Sequence, residues 1–180
     1  MARPAIWLIS GAPGAGKSTV SDALCSPKPT QKPLPIWIGG SKPRVMRAAA
    51  RYASAFNFNL GTSAQTETLK TAMRQMDEIC RGAQRDPSTL LRSSFLMSTV
   101  GSTSARSDAL LKEFAAAQGT TSAKILEQRP GLLRETPERA LSRLSEYAAL
   151  GIAHANIMFQ PYGSEREQIA ALAGITAKLA

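Results

Sequence analysis

The sequence predicts an α/β fold of about four parallel β/α units preceded by one strand–loop–helix unit. Three observations carry this expectation. Short apolar runs alternate with longer amphipathic stretches, and a strand that returns to a parallel neighbour needs a helical crossover. The 180 residues, 43% of them hydrophobic, suffice for one packed core but fall short of the about 250 of a complete eight-fold barrel. A glycine-rich loop follows the first apolar run directly, where a strand hands over to a helix.

Taken in order, Ala5–Ile9 is the first strand, the loop follows, and Ser18–Leu24 forms a short helix. The connector Ser26–Pro35 holds four prolines, whose fixed φ and missing N–H exclude helix and central strand, so it runs extended. Ile36–Ile38 is then a strand with a helix from about Pro43 to Ala53, and Ala55–Phe58 a strand with a helix from about Ala64 to Gln84. A longer strand near Leu91–Val100 leads into helical material at Ser107–Gln118 and Pro137–Leu150, where Leu141, Leu144 and Leu150 share a stripe. Ala153–Phe159 is the last strand, after a helix stop at Gly151, and a helix from Glu165 towards Leu179 closes the chain.

The net charge of +9 raises the question of a phosphate-rich partner. The arginines at 44, 47, 51, 81, 85, 92, 129, 134, 139 and 143 are separated at helical spacing without interleaved aromatics, which predicts solvated helix faces and argues against nucleic acid. Cys25 and Cys80 have no companions at metal-ligand spacing and read as reduced thiols. The run after Arg3 is too short for a secretory signal, and no stretch approaches the roughly 20 apolar residues of a membrane span. These features predict a cytoplasmic protein with no membrane partner.

Gly11-Ala12-Pro13-Gly14-Ala15-Gly16-Lys17-Ser18 fits G-x-x-x-x-G-K-[ST] between strand and helix. Gly11, Gly14 and Gly16 let backbone N–H groups converge on phosphate oxygens, the helix start at Ser18–Thr19 adds positive potential, Lys17 reaches terminal phosphates, and Ser18 would ligate Mg²⁺. Residues 1–25 resemble the opening of small P-loop kinases, which implies an ATP–Mg site. Phosphoryl transfer also needs a carboxylate at another strand end. The tips Gly39-Gly40, Asn57-Phe58-Asn59, Val100-Gly101-Ser102 and Phe159-Gln160-Pro161 supply none.

A different pattern runs through residues 26–180. Pro33-Leu34-Pro35-Ile36-Trp37-Ile38-Gly39-Gly40-Ser41, Pro43-Arg44, Ala48–Ala53 and Phe56-Asn57 are followed by Arg85-Asp86-Pro87, Thr136–Leu141 and Tyr147–His154. In order and spacing they resemble the second half of luciferase-like monooxygenases, TIM-barrel oxidoreductases that use FMN or a deazaflavin coenzyme. The resemblance implies a partial TIM barrel at 26–180 behind a separate P-loop unit at 1–25, and a small-molecule substrate. It also implies that Gly39, Gly40, Asn57, Asn59 and Gly61 line the phosphate end of the cofactor; it identifies no catalytic residue. The family usually has Asp at Ser54, Trp at Phe56 and Gly at Glu135.

Read without the family, Gly39-Gly40 is a strand-to-helix turn, the asparagines cap or turn the chain, His154 is a packed, hydrogen-bonded strand residue, and Met73 and Met76 are helix packing residues. Half a barrel leaves sheet edges and one face uncovered. Two arrangements relieve this: Ala5–Ile9 adds beside Ile36–Ile38 in a five-stranded sheet, with helix 18–24 as crossover, or two copies associate as a homodimer. Three functions follow: a truncated or rearranged oxidoreductase domain, an ATP-binding protein or small-molecule kinase, and a non-enzymatic fusion product.

Overall fold

The structure, a computed structural model, describes residues 7–8, 34–58 and 66–176. Strand β1 (Trp7–Leu8) pairs with β2 (Ile36–Gly40), followed by α1 (Pro43–Tyr52), β3 (Ala55–Phe58) and α2 (Thr66–Gly82). A single 3₁₀ turn at Pro87–Thr89 leads into β4 (Leu91–Ser98), α3 (Ser104–Ala117) and α4 (Ser122–Gln128). The chain continues through α5 (Pro137–Ala149), β5 (His154–Phe159) and α6 (Glu165–Thr176).

Local chemistry accounts for most of these boundaries. Pro43 and Pro137 stand in the first turns of α1 and α5, where no N–H is needed. The hydroxyls of Thr103 and Thr121 accept from the N–H groups of Arg106 and Lys124, capping α3 and α4. Arg85 closes the other end of α1: its guanidinium donates to the Ala53 carbonyl at 2.7 Å and to the Thr89 hydroxyl and carbonyl at 2.9 and 3.0 Å.

All four strand pairings are parallel, and the five-stranded sheet has the order β1-β2-β3-β4-β5. Sequential order without reversal is the winding of a barrel wall, whereas a doubly wound sheet reverses partway. Right-handed crossovers then place α1, α2, α5 and α6 on one face, whereas α3 and α4 pack against Met97 on the other side of β4. On the first face Phe56, Phe58 and Leu96, with Ile38 and Ile157, pack with Met46 and Ala49 of α1, Leu69, Met73 and Met76 of α2, and Tyr147 of α5. Met73 and Met76 are packing residues, as expected from their helical spacing. A smaller cluster joins Leu111, Phe114, Ile125 and Leu132 beside Met97.

The fold is the α/β wall that the sequence predicts, and β1 occupies the place beside β2 that the five-stranded arrangement requires. The P-loop residues and helix 18–24 lie outside the described residues. Helix α4 had no counterpart in the sequence reading: at seven residues it is too short to show a period, and burial of Ile125 holds it. No helix among the described residues is long and apolar enough to cross a membrane.

Candidate cofactor site on the inner face of the sheet

Strand residues alternate between faces, so register decides what the face opposite the helices carries. Gly39 pairs with Asn57, Asn57 with Ser93, Ser93 with His154, and Phe95 with Asn156. Trp37, Gly39, Asn57, Ser93, Phe95, His154 and Asn156 therefore share the inner face.

Two contacts show that this face is concave. The rings of Trp37 on β2 and His154 on β5 lie 5.5 Å apart, although β3 and β4 stand between them. The intervening inner positions are small: Ala55 pairs with Trp37, and Ser93 with His154. The Asn156 amide reaches from β5 over β4 and donates to Asn57 Oδ1 at 3.2 Å. Ser93 Oγ donates to the same oxygen at 3.0 Å. Two donors on one carbonyl oxygen orient the Asn57 amide.

Its nitrogen lies beside Gly39. A Cβ placed on Gly39 would stand 3.6 Å from Asn57 Nδ2 and 3.4 Å from its Cβ, so glycine leaves a shelf beside an amide donor. At Gly40, the last residue of β2, φ is +156° and an added Cβ would come within 3.1 Å of Val45 Cγ1, which makes glycine the fitting residue at this strand end. Helix α1 starts beyond it, with no acidic residue in its first turn. Its positive dipole end thus stays uncompensated at the carboxyl rim of the sheet, which suits an anion.

Gly39 and Gly40 do not form the turn that the residue-by-residue reading gave them: both are still paired within β2 and the bend follows at Ser41-Lys42, which leaves a shelf that also fits a ligand. Asn57 neither caps nor turns the chain; it lies within β3. Asn59 and Gly61 lie outside the described residues, as do Gly11, Gly14, Gly16, Lys17, Ser18 and Thr19. His154 is exposed on the concave face against Trp37, not packed in the core, because no strand among the described residues lies beyond β5. Trp37, Ser93 and Asn156 were missed. Their signal is a period of two: Trp37 and Gly39, like His154 and Asn156, sit two apart on their strands.

The family departures at Ser54 and Phe56 leave this face intact. Phe56 is buried on the helix side, edge-on to Phe58 with centroids 4.9 Å apart. Ser54 precedes β3. Glu135, where the family has glycine, adopts φ +75°.

Two cavities lie elsewhere. One of about 370 Å³ is lined by Leu133, Glu135, Arg139 and Arg143 along α5, and one of about 470 Å³ by Lys70, Arg74, Asp77 and Arg92 beside α2. The Cys80 thiol is pushed up by burial, which keeps it protonated and unreactive. No group of His, Cys, Asp and Glu among the described residues could hold a metal ion.

Solved structures of longer proteins contain a similar wall. The chain is similar to DmoA from Hyphomicrobium sulfonivorans at 14% identity and TM-score 0.63, covering 86% of this chain and 44% of that one. It is similar to the coenzyme F420 dependent tetrahydromethanopterin reductase from Methanopyrus kandleri at 14% identity and TM-score 0.57, covering 78% and 49%. The long-chain alkane monooxygenase LadA gives 17% identity and TM-score 0.60, with 86% and 43% covered. At these identities the likeness shows the fold, and the chain spans about half the length of each of these proteins. No curated protein matches it in sequence. The family model of luciferase-like monooxygenases matches residues 12–176, starting inside the glycine-rich loop. With a sequentially wound parallel wall, a concave polar inner face and a family match over nearly its whole length, the chain belongs to the luciferase-like monooxygenase family.

Proposed function

We propose that the chain is an oxidoreductase domain of luciferase-like type that binds FMN or a deazaflavin coenzyme across the rim and inner face of its sheet. The observation that carries this reading is the Asn57 amide, held by Ser93 and Asn156 with its nitrogen beside the bare Gly39. The phosphate end would lie at Gly39-Gly40 and the start of α1, continued by Asn59 and Gly61. The ring system would lie over Asn57 and Asn156, where fixed amides offer hydrogen bonds to a flat polar heterocycle. Bound there, the cofactor supplies the redox chemistry on a small organic substrate. The chain's residues hold and orient it, and the Trp37–His154 pair floors the site. Similar proteins described as F420-dependent or as holding modified FMN support this choice of cofactors. The cytoplasm is the compartment this reading favours.

The test is parallel titration of the protein with FMN, coenzyme F420 and ATP–Mg²⁺, followed by absorbance and fluorescence. FMN or F420 is expected to bind in the micromolar range, and Gly39→Val to weaken it at least tenfold, about 1.4 kcal/mol. If neither binds at high micromolar concentration, only the ancestry of the fold remains. ATP binding that Lys17→Ala abolishes would favour the P-loop reading instead.

A further inference from the structure

Charged side chains gather around one cavity beside α5. The segment leading into that helix runs along the carboxyl end of β4: the Leu133 N–H donates to the Met97 carbonyl, and the Thr99 N–H to the Leu133 carbonyl, both at 2.8 Å. This pairing buries Leu132 and Leu133, and Arg134 and Glu135 follow nearer the surface. Arg139, Arg143 and Glu146, spaced for one side of α5, line the same cavity. Its volume of about 370 Å³ falls within the about 300–1,000 Å³ of small-molecule sites.

The charges around it do not balance. Arg134, Arg139 and Arg143 stand against Glu135 and Glu146, and Glu146 already accepts the Thr66 hydroxyl at 3.1 Å. The Glu135 carboxylate is shared between two cations. Its Oε2 lies 3.1 Å from Arg139 Nη1, and its Oε1 lies 3.7 Å from Arg134 Nη2, beyond hydrogen-bond length. Arg143, half-buried, makes no ion pair or hydrogen bond among the described residues. Each guanidinium has five N–H donors, so most of those at this cavity have no protein acceptor. Leu132, Leu133 and Ala140 close the floor and are buried, and a low-dielectric floor beneath surplus charge focuses its field on the cavity.

We propose that this cavity is an oxyanion site, taking the phosphate or carboxylate group of a small molecule. Glu135 marks the place, because a carboxylate there already lies between two guanidinium groups. A ligand oxyanion that displaces it gains those two and has the unpaired Arg143 on the same wall. Planar guanidinium forks match the oxygens of both groups. The site belongs to α5 and the segment before it, apart from the Asn57 shelf, so it stands independently of the cofactor reading.

The test titrates inorganic phosphate and acetate separately into the cofactor-free chain, at constant ionic strength with chloride as the balancing anion, and follows Tm. Binding to the folded chain raises Tm along a saturating curve, whereas stabilisation by ion exclusion does not saturate. A saturating rise is expected with one of the two ions, and which one it is tells a phosphate ligand from a carboxylate. Arg139→Gln and Arg143→Gln should each weaken that binding about fivefold, by loss of a charge-assisted hydrogen bond. Glu135→Gln removes the competing carboxylate and should strengthen it about threefold. Circular dichroism checks that each variant is folded. If Arg143→Gln fails to fold, Arg139→Gln, whose side chain is 75% exposed, and Glu135→Gln decide. The absence of a saturating rise with either ion overturns the proposal. So does a rise that the folded variants leave unchanged, since the ion then binds elsewhere on the chain, at the glycine-rich loop or at Gly39-Gly40.

Discussion

At Gly101, just beyond β4, an added Cβ would lie 2.8 Å from Arg106 Cβ, Arg106 Cγ and the Ser107 backbone nitrogen. Backbone cannot yield as a side-chain tip can. Gly101→Ala should therefore cost about 2 kcal/mol in urea denaturation, and an unchanged midpoint would show that α3 shifts freely. Glu135 presents the opposite case. Its φ of +75° costs a residue with a Cβ about 1 kcal/mol or more, while its carboxylate meets Arg139 at 3.1 Å and Arg134 at 3.7 Å, both near the surface. Exposed ion pairs contribute little. Glu135→Gly should thus raise stability by about 0.5–1 kcal/mol, read as a higher Tm; a lower Tm would mean that the ion pairs dominate.

Among the elements, α3 and α6 are joined by a two-pronged ion pair: Arg106 Nε and Nη2 donate to the Glu167 carboxylate at 2.7 and 2.8 Å. Hydrogen bonds from Arg106 hold the Glu167 carboxyl below its ordinary value of 4.5, against a small opposing effect of burial. A depressed carboxyl contributes stability that is present above its unfolded pKa and lost as pH falls through the folded one. Thermal melts should therefore weaken below about pH 4.5. Glu167→Gln should flatten that acid limb while lowering Tm at neutral pH; an acid limb of unchanged slope would assign the loss to other carboxylates. The Arg85 fork across the end of α1 is also geometric. Arg85→Lys keeps the charge but not the planar donors, and should cost about 1–2 kcal/mol in denaturant melts, whereas a neutral result would reduce Arg85 to a surface charge.

These elements were unequally legible. Strands and long helices appear in the sequence because apolar period follows burial on one face: Leu69, Met73, Met76 and Cys80 make such a stripe in α2. The capping residues Thr103 and Thr121 were equally open to reading and would have started α3 at Ser104, where the apolar pattern alone suggested Ser107. Helix α4 was not legible, because one buried isoleucine defines no period. Of the candidate site, the Gly39-Gly40 pair and Asn57 stand out as residue types. Ser93 and Asn156 do not, since nothing local distinguishes a polar strand residue facing a ligand from one facing solvent.

For the molecule as a whole, the sequence by itself determined the parallel α/β wall, because alternating strand and helix periods leave few ways to bury their apolar faces, while the family was legible only as a resemblance of ordered motifs between Pro33 and His154. It also indicated the glycine pair at the rim, where Gly40 takes a φ of +156° that other residues rarely adopt. Only the tertiary structure decided which side chains meet. Trp37 and His154 are 117 positions apart in the chain, and the curvature of the sheet puts their rings in contact. The orientation of Asn57 likewise depends on donors from two other strands. Register and curvature are sums over the whole packed core, so no local stretch of sequence encodes them.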